Sequence, residues 1–328
     1  MGIDIGGTKC AVILAQSDPV KIIRKKAFAT EQPRGYKYII SNIINAVENV
    51  LAESNVKVSD VLAAGISCGG PLDSKNGIIK RPPNLPDWDE VPVTHMIGSH
   101  FGFPVFLQND ANACALAEWK YGAGRGCENM VFLTFGTGMG AGLILDGKLY
   151  SGTNDMAGEV GHIRIENDGP VGYSKAGSFE GFCSGGGIAR TARQAALQYI
   201  EEGKKSVLFE NAEEIESITA KTLAIAADDG DEFALGIYRK CGEKLGKGLA
   251  IIIDILNPEK IVIGSIYERS GHLLRESMYR TLEEEALSLS YGCCEIVAAE
   301  LGDSIGDYAA LGIAASGYER MCEDERNS

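Results

Sequence analysis

Two aspartates and two glycine turns in this 328-residue chain have residue types and spacings that could do chemistry. Asp4 sits inside an apolar strand, Gly2-Ile3-Asp4-Ile5, that runs straight into Gly6-Gly7-Thr8-Lys9. A polar residue on an exposed strand face is the bland explanation. A place between Ile3 and Ile5, against a glycine turn, favours a site. Glycine lets backbone N–H groups approach phosphate oxygens with no Cβ in the way, so the turn is of a kind that holds phosphate. It nevertheless lacks both the G-x-x-x-x-G-K-[ST] and the G-x-G-x-x-G spacings. Asp110 ends "FPVFLQND", an apolar strand, and precedes "ANACALAEW", an apolar helix. Sites in α/β proteins gather at the C-terminal ends of strands, and a carboxylate there can accept a proton from a hydroxyl. Asn109 or Asp110 could instead cap that helix, and both roles can hold together.

These residues need a scaffold, and the pattern supplies one. Ile3 to Ile5 and Ala11 to Leu14 read as strands joined by the first turn. Residues 36–53 carry isoleucine, valine and leucine at helical spacing. Strands are predicted at 61–67, 103–110, 130–136, 260–264 and 294–301, and helices dominate from about 185 to 257. "AGLILDGKLYSG" reads as a hairpin with Asp146-Gly147 at its tip, and "DYAALGIAASGY" as a final helix. Alternation of strands and helices gives an α/β fold. Shifted by 130 positions, Ile3-Asp4-Ile5-Gly6-Gly7-Thr8 falls on Leu133-Thr134-Phe135-Gly136-Thr137-Gly138, as two related halves would require. Two unrelated glycine turns would give the same short echo, so duplication stays open at this point.

Composition narrows the function classes. With 31 basic against 45 acidic residues and a net charge of −14, the chain lacks the basic face that nucleic acid requires. No apolar run approaches a membrane span and no signal-like stretch precedes the first strand, so the expected compartment is the cytoplasm. Nine cysteines, an odd number without framework spacing or a C-x-x-C pair, read as reduced thiols filling the core.

"DIGGTK", "CGGPLD", "QNDANACALAEW", "FGTGMGAGLILDGKLYSG" and "AGEVGH" occur in the order found in ROK-family proteins (repressor, open reading frame, kinase). The chain resembles that family, which comprises sugar kinases and sugar-sensing repressors of the actin-like ATPase superfamily, from residue 1 to about 316. The resemblance implies two ribonuclease-H-like lobes with the active site in the cleft between them. Residues 1–117 with 303–328 would form the sugar and phosphate side, and 118–302 the nucleotide side. It implies ATP phosphates held between Gly6, Gly7, Thr8 and Lys9 on one lobe and Gly136, Thr137 and Gly138 on the other. Gly264 would face the adenosine, as would the "SGGGIA" turn at 184–189. Asp4 would stand near Mg²⁺, through water. Asp110 would be the general base on the 6-hydroxyl of a hexose, glucose first. Gly70, Asn84, Asn109, Asp110, Glu159, His162 and Glu180 would surround the sugar. A homodimer is the expected assembly.

Three features depart from the family or bear on the alternatives. Typical members follow the G-H motif with C-x-C-G-x-x-G-C-x-E, whose cysteines join the histidine on a structural zinc. Here the segment reads "HIRIENDGPVGYSKAGSFEGFCSGGG", and Cys183 is its one cysteine. One histidine and one cysteine cannot close a four-ligand site, so no zinc is expected, packing and hydrogen bonds must hold residues 165–178, and His162 is free for the sugar. Ser265 stands where the family usually has a second glycine. The repressors carry a helix-turn-helix ahead of the first glycine turn, where this chain begins, so a kinase is expected ahead of a sugar-sensing regulator without its DNA-binding segment. N-acetylglucosamine, N-acetylmannosamine, mannose, allose and fructose remain alternative substrates.

Overall fold

Two five-stranded mixed sheets dominate the computed structural model, which describes residues 1–327, and both are wired in the same way. The first is built from β1 (Gly2–Ile5), β2 (Lys9–Ser17), β3 (Val20–Ala29), β4 (Ala64–Cys68) and β7 (Val105–Gln108), with α1 (Tyr36–Glu53), the short β5 (Leu72–Asp73) and β6 (Ile78–Ile79), and α2 (Val93–Phe101) between them. Helix α3 (Asp110–Tyr121) leads to the second, formed by β8 (Met130–Phe135), β9 (Met139–Leu145), β10 (Lys148–Tyr150), β13 (Lys260–Ile263) and β14 (Glu295–Ala298). Inserted in the second are β11 (Val171–Gly172), β12 (Lys175–Ala176), α4 (Phe179–Phe182), α5 (Gly185–Glu201), α6 (Ala220–Asp228), α7 (Glu232–Leu256), α8 (Ile266–Glu285) and α9 (Ser288–Tyr291). Helix α10 (Ile305–Asn327) ends the chain's described part.

The strand orders are β3-β2-β1-β4-β7 and β10-β9-β8-β13-β14. In each, three antiparallel strands form a meander and two further strands add in parallel. The glycine turns join β1 to β2 and β8 to β9, the same step in both sheets. The 130-position echo therefore marks a structural duplication, and the expected pair of ribonuclease-H-like sheets is present.

Helix α10 returns to the first sheet and packs on β1, β4 and β7, while α3 packs on α10 and on β8 and β9. Ala113 and Leu116 of α3, Phe132, Ile144 and Val262 of the second sheet and Ile313 of α10 share one apolar cluster. Helix α3 is thus the layer between the sheets, and its first turn is fixed to both. Separate cores lie outside this layer, one around Ile3, Ile39, Val47 and Ile66, the other around Leu133, Phe179, Leu249 and Ile263.

Local chemistry explains the elements and the departures from expectation. Helix α1 buries Ile39, Ile40, Ile43, Val47, Val50 and Leu51, the predicted stripe. Asp146 and Gly147 have φ of 50° and 67°, the two positive values that a type I′ hairpin turn needs. Strand β3 was not expected. Its sequence, VKIIRKKAFA, carries four charged residues, and as an edge strand it leaves Lys21, Arg24 and Lys25 exposed, a pattern that protects an unpaired edge. The stretch Ser184–Ala189, expected as a turn, is the capped start of α5. The strand predicted over 294–301 stops at Ala298, because the N–H groups of Glu300 and Leu301 turn to the Glu118 carboxylate instead of a ladder. Among the described residues no helix is long and apolar enough to cross a membrane.

Candidate active site

Asp110 is the first residue of α3, directly after β7. The capping question resolves in favour of Asn109, whose Oδ1 accepts the Asn112 N–H at 2.9 Å. The Asp110 carboxylate is left for the cleft, beside the Ser67 hydroxyl at the end of β4. A Cβ placed on Gly69 would lie 3.3 Å from Asn84 Oδ1 and 3.7 Å from Asp110 Oδ2, so these two side chains converge over that glycine. Gly70 next to it has open space around its own Cβ position.

The first glycine turn is braced from below. Gly6 N–H donates to the Lys9 carbonyl at 3.0 Å, and the buried Thr30 hydroxyl donates to the Gly6 carbonyl at 2.7 Å. Gln32 Nε2 donates to the carbonyls of both Gly7 and Asn84, tying the turn to the segment that carries Asn84. A Cβ on Gly7 would come within 2.8 Å of the Asn84 carbonyl oxygen, so no larger residue fits. Thr8 and Lys9 are exposed at the rim.

The second turn is held by different partners. Gly136 N–H donates to Gly138 O at 3.1 Å, and Gly185 N–H donates to Gly136 O at 2.7 Å, so the start of α5 rests on the turn. Thr137 is exposed at its tip. Glu180 Oε2 accepts the Met139 N–H at 3.1 Å and would lie 2.8 Å from a Cβ on Gly138. Glu180 therefore stands against the second glycine turn. Helix α3 rests on the second sheet just beyond this turn: the Cβ of Ala111, next to Asp110, is 3.8 Å from the Cβ position of Gly140 on β9.

Electrostatics single out the same aspartates. Burial, then the nearby Asp110 and Asp307, push Asp4 up to about 6, against the smaller opposing effects of Lys25 and Lys9. Burial also raises Asp110, with the Ser67 hydroxyl opposing. The Asp110 residue is open to the cleft, yet the protein packed around its carboxyl removes enough water to disfavour the charge. Among the described residues neither carboxylate has an ion-pair partner, and no group of three or more His, Cys, Asp or Glu is placed to ligate a metal. Two carboxylates held near each other without a cation fit a hydrated Mg²⁺ and the phosphates it accompanies. They do not fit an all-protein metal cage.

Beyond the second turn a cavity of about 760 Å³ is lined by Gly136, Thr137, Gly185, Lys221, Ser265 and Arg269. Ser265, at the N-terminus of α8, has φ of 59° and accepts from Arg269 Nη2 at 3.1 Å. Its neighbour Gly264 lies over the Phe132 ring, 3.2 Å from the Cβ position. A larger cavity of about 1060 Å³ lies elsewhere, along Ser74, Gln108, Trp119 and Asp155, and touches none of the predicted residues.

Glu159 and His162 are exposed, and their side chains make no hydrogen bond among the described residues. Gly161 between them packs under Met139 and the Glu180 Cβ, which brings this motif to the second turn. The loop that follows is held by hydrogen bonds within the chain. Ile165 and Glu166 N–H groups donate to the Gly177 carbonyl, β11 pairs with β12, and Lys175 Nζ donates to the His162 carbonyl at 2.7 Å. Glu166 Oε1 takes Lys244 Nζ at 2.5 Å and Lys247 Nζ at 2.9 Å, both on α7. These two hydrogen bonds hold the Glu166 carboxyl down at about 2.

Sequence reasoning missed Ser67, Thr30, Gln32, Asp307 and the Glu166–Lys244–Lys247 cluster. Ser67 stood next to a quoted motif and could have been found. Gln32 and the cluster depend on contacts across 52 and 78 or more positions, which leave no local signal.

The chain is similar to known proteins along nearly its whole length. The ROK family model matches residues 1–316. A protein named glucokinase from Thermotoga maritima is 35% identical over 325 residues, 98% of each chain. The solved structure of a ROK family glucokinase from Streptomyces griseus, in complex with glucose and AMPPNP, is 30% identical with a TM-score of 0.72, covering 96% of this chain and 98% of that one. A ROK family transcriptional regulator, described as a homolog of the E. coli MLC protein, shares the fold at 24% identity with a TM-score of 0.82, covering 97% of this chain and 78% of its own.

Proposed function

This chain belongs to the ROK family, and from that premise we propose that it transfers the γ-phosphoryl group of ATP to a hexose, with glucose as the first candidate and the 6-hydroxyl as the acceptor. The observation that carries this reading is Asp110. Its carboxylate is not used in capping, is raised by burial, and stands at the start of α3, the helix packed between the two sheets. In this reading the acceptor hydroxyl gives its proton to Asp110 as its oxygen bonds the γ-phosphorus and the bond to the β-phosphate oxygen breaks. The products are the sugar phosphate and ADP, with the proton held on Asp110. A raised carboxyl suits a base that works near neutral pH.

The remaining residues position and neutralise. Backbone N–H groups of Gly6, Gly7 and Gly136 to Gly138 would meet the phosphate oxygens, with Thr8, Thr137 and Lys9 at the rim. A divalent cation, when bound, would offset phosphate charge, and Asp4 is the residue of this chain that would hold its water shell. Asn84, Asn109, Glu159, His162 and Glu180 supply the acceptors and donors that a ring of hydroxyls needs. The Glu180 bond to Met139 N–H gives that residue a second task, bracing the phosphate turn. Residues 1–117 with 303–328 as one lobe, and 118–302 as the other, belong to the same reading. The return of α10 to the first sheet supports it.

The test is ADP release across a panel of hexoses and N-acetylhexosamines, with Asp110→Asn as the control. Turnover of one sugar is expected. The variant should keep both KM values and lose roughly a hundredfold to ten-thousandfold in kcat, the range for a general base. A protein that binds sugar and releases no ADP on any panel member would be a sensor, and wild-type turnover in the variant would remove Asp110 from its role.

A further inference from the structure

Residues 151–158 join β10 to the segment carrying Glu159 and His162, and they are held to both sheets. On the second sheet, Gly158 O accepts the Ala141 N–H at 2.8 Å. On the first, the Asp155 carboxylate takes two bonds from Ser74, from its N–H at 2.8 Å and from its hydroxyl at 2.6 Å. Ser74 sits in the β5–β6 hairpin, anchored by the buried Leu72 and Ile79. At the other end, the Ser151 hydroxyl lies 3.3 Å from Gln108 Nε2 and 3.4 Å from Asn112 Nδ2. Those two amides also bond each other, Asn112 Nδ2 to Gln108 Oε1 at 3.0 Å. Gln108 and Asn112 flank Asp110 in the chain, so the same polar group touches the turn that carries the base. Asp155 holds a left-handed backbone with φ of 62°, and among the described residues it has no cationic partner. Both its oxygens are committed to Ser74.

We propose that the Asp155–Ser74 contact is a latch across the two sheets that fixes where Glu159 and His162 stand relative to Asp110, making Asp155 a positioning residue for the sugar. This rests on the reading that the cleft takes a hexose. A bond that only stiffened a surface loop would change melting temperature and leave the kinetic constants alone. A latch that presents the sugar loop changes sugar affinity selectively, because the nucleotide cavity lies on the far side of the second turn. The contact also bridges the two sheets, so its loss lets the cleft open.

Two variants isolate the carboxylate. Asp155→Gly removes it with no penalty at positive φ, and Asp155→Asn keeps the size and one acceptor oxygen in a residue that tolerates that backbone. Asp155→Gly should raise the sugar KM by about tenfold, the scale of a charge-assisted hydrogen bond, with the ATP KM within about twofold. Asp155→Asn should fall between it and wild type. Ser74→Ala added to Asp155→Gly should add little, since both act through one contact. An unchanged sugar KM in Asp155→Gly, or equal rises in both KM values, would overturn the proposal. If the wild type turns over no sugar, the kinase reading fails and the latch is judged by small-angle scattering alone. A larger radius of gyration for Asp155→Gly than for wild type supports it, and equal radii overturn it.

Discussion

Glu166→Gln tests whether a charge cluster orders the loop that a metal would otherwise be expected to hold. The substitution keeps the shape and one acceptor oxygen while removing the charge that meets Lys244 and Lys247. The carboxyl is lowered from 4.5 to about 2 by these two lysines. At about 1.4 kcal/mol for a tenfold change in proton affinity, the full effect of an unscreened pair is roughly 3 kcal/mol. The Glu166 side chain is 30% exposed and Lys247 35%, so solvent screens the pair and the expected loss is about 1 to 2 kcal/mol. In a chain of this size that lowers the melting temperature by a few degrees at neutral pH. The sign of the pH dependence follows from the direction of the shift. A carboxyl depressed in the folded state stabilises fully above its unfolded value, and the contribution is lost as pH falls through the folded value. The gap between wild type and variant should therefore be widest near neutrality and shrink between about 5 and 2. High salt should narrow it as well. Because the ordered hairpin lies between His162 and Glu180, the variant should also raise the sugar KM more than the ATP KM. A melting gap that is absent, or that ignores both pH and salt, would refute the assignment of Glu166 as the loop's anchor.

Three further outcomes are expected. Asp4→Asn should raise the ligand-free melting temperature at pH 7, because a carboxyl lifted to about 6 by burial destabilises the fold progressively as pH rises from about 4 to 6. The same variant should lose turnover; a variant no more stable at pH 7 than wild type would count against the buried-charge account. Glu159→Ala should raise chiefly the sugar KM, since it removes an acceptor for a hydroxyl and leaves the base; an unchanged KM would show that Glu159 faces elsewhere. Turnover should require Mg²⁺, and elemental analysis of the purified protein should find no stoichiometric zinc. About one zinc per chain, lost together with activity on chelation, would show that ligands far apart in sequence converge after all.

How far the site could be read from sequence depended on the range of the interactions. The glycine turns, Asp4 and Asp110 are legible because each rests on neighbours within a few positions: a strand, a turn and the next element. The Asp146-Gly147 hairpin and the stripe on α1 belong to the same class. What failed was non-local or edge-determined. Strand β3 lacks apolar alternation because it is an edge, and the last residues of the 294–301 segment leave their strand for Glu118. Glu118 is the sharper example. It is fully buried on α3 and collects the N–H groups of Ala123, Glu300 and Leu301. A carboxylate in an apolar helix run reads as a solvated face, and only the fold reveals the backbone donors that make its burial tolerable.

The duplicated sheets also explain why the chemistry is one-sided. The 130-position shift that places Asp4 on Thr134 puts equivalent backbone at the same point of both glycine turns. The Thr134 hydroxyl is consumed by its own hairpin, accepting Gly140 N–H at 2.8 Å and donating to Gly140 O at 3.3 Å. The Asp4 carboxylate has no hydrogen bond among the described residues and is held, half-buried and raised, near a second carboxylate. A self-satisfied threonine needs nothing from the cleft, whereas an unpaired aspartate is relieved only by a proton or a cation. Duplication thus supplies two backbone cradles of the same kind, and the single difference at this position decides which of them calls for positive charge. If that is so, Thr134→Ala should loosen the second hairpin, lowering the melting temperature, without changing the Mg²⁺ concentration needed for half-maximal turnover. Asp4→Glu, which keeps the charge, should retain a Mg²⁺ requirement at altered affinity. A shift in the Mg²⁺ requirement on Thr134→Ala as large as that on Asp4→Glu would mean that both turns share the cation, and the asymmetry argued from Asp4 would fall.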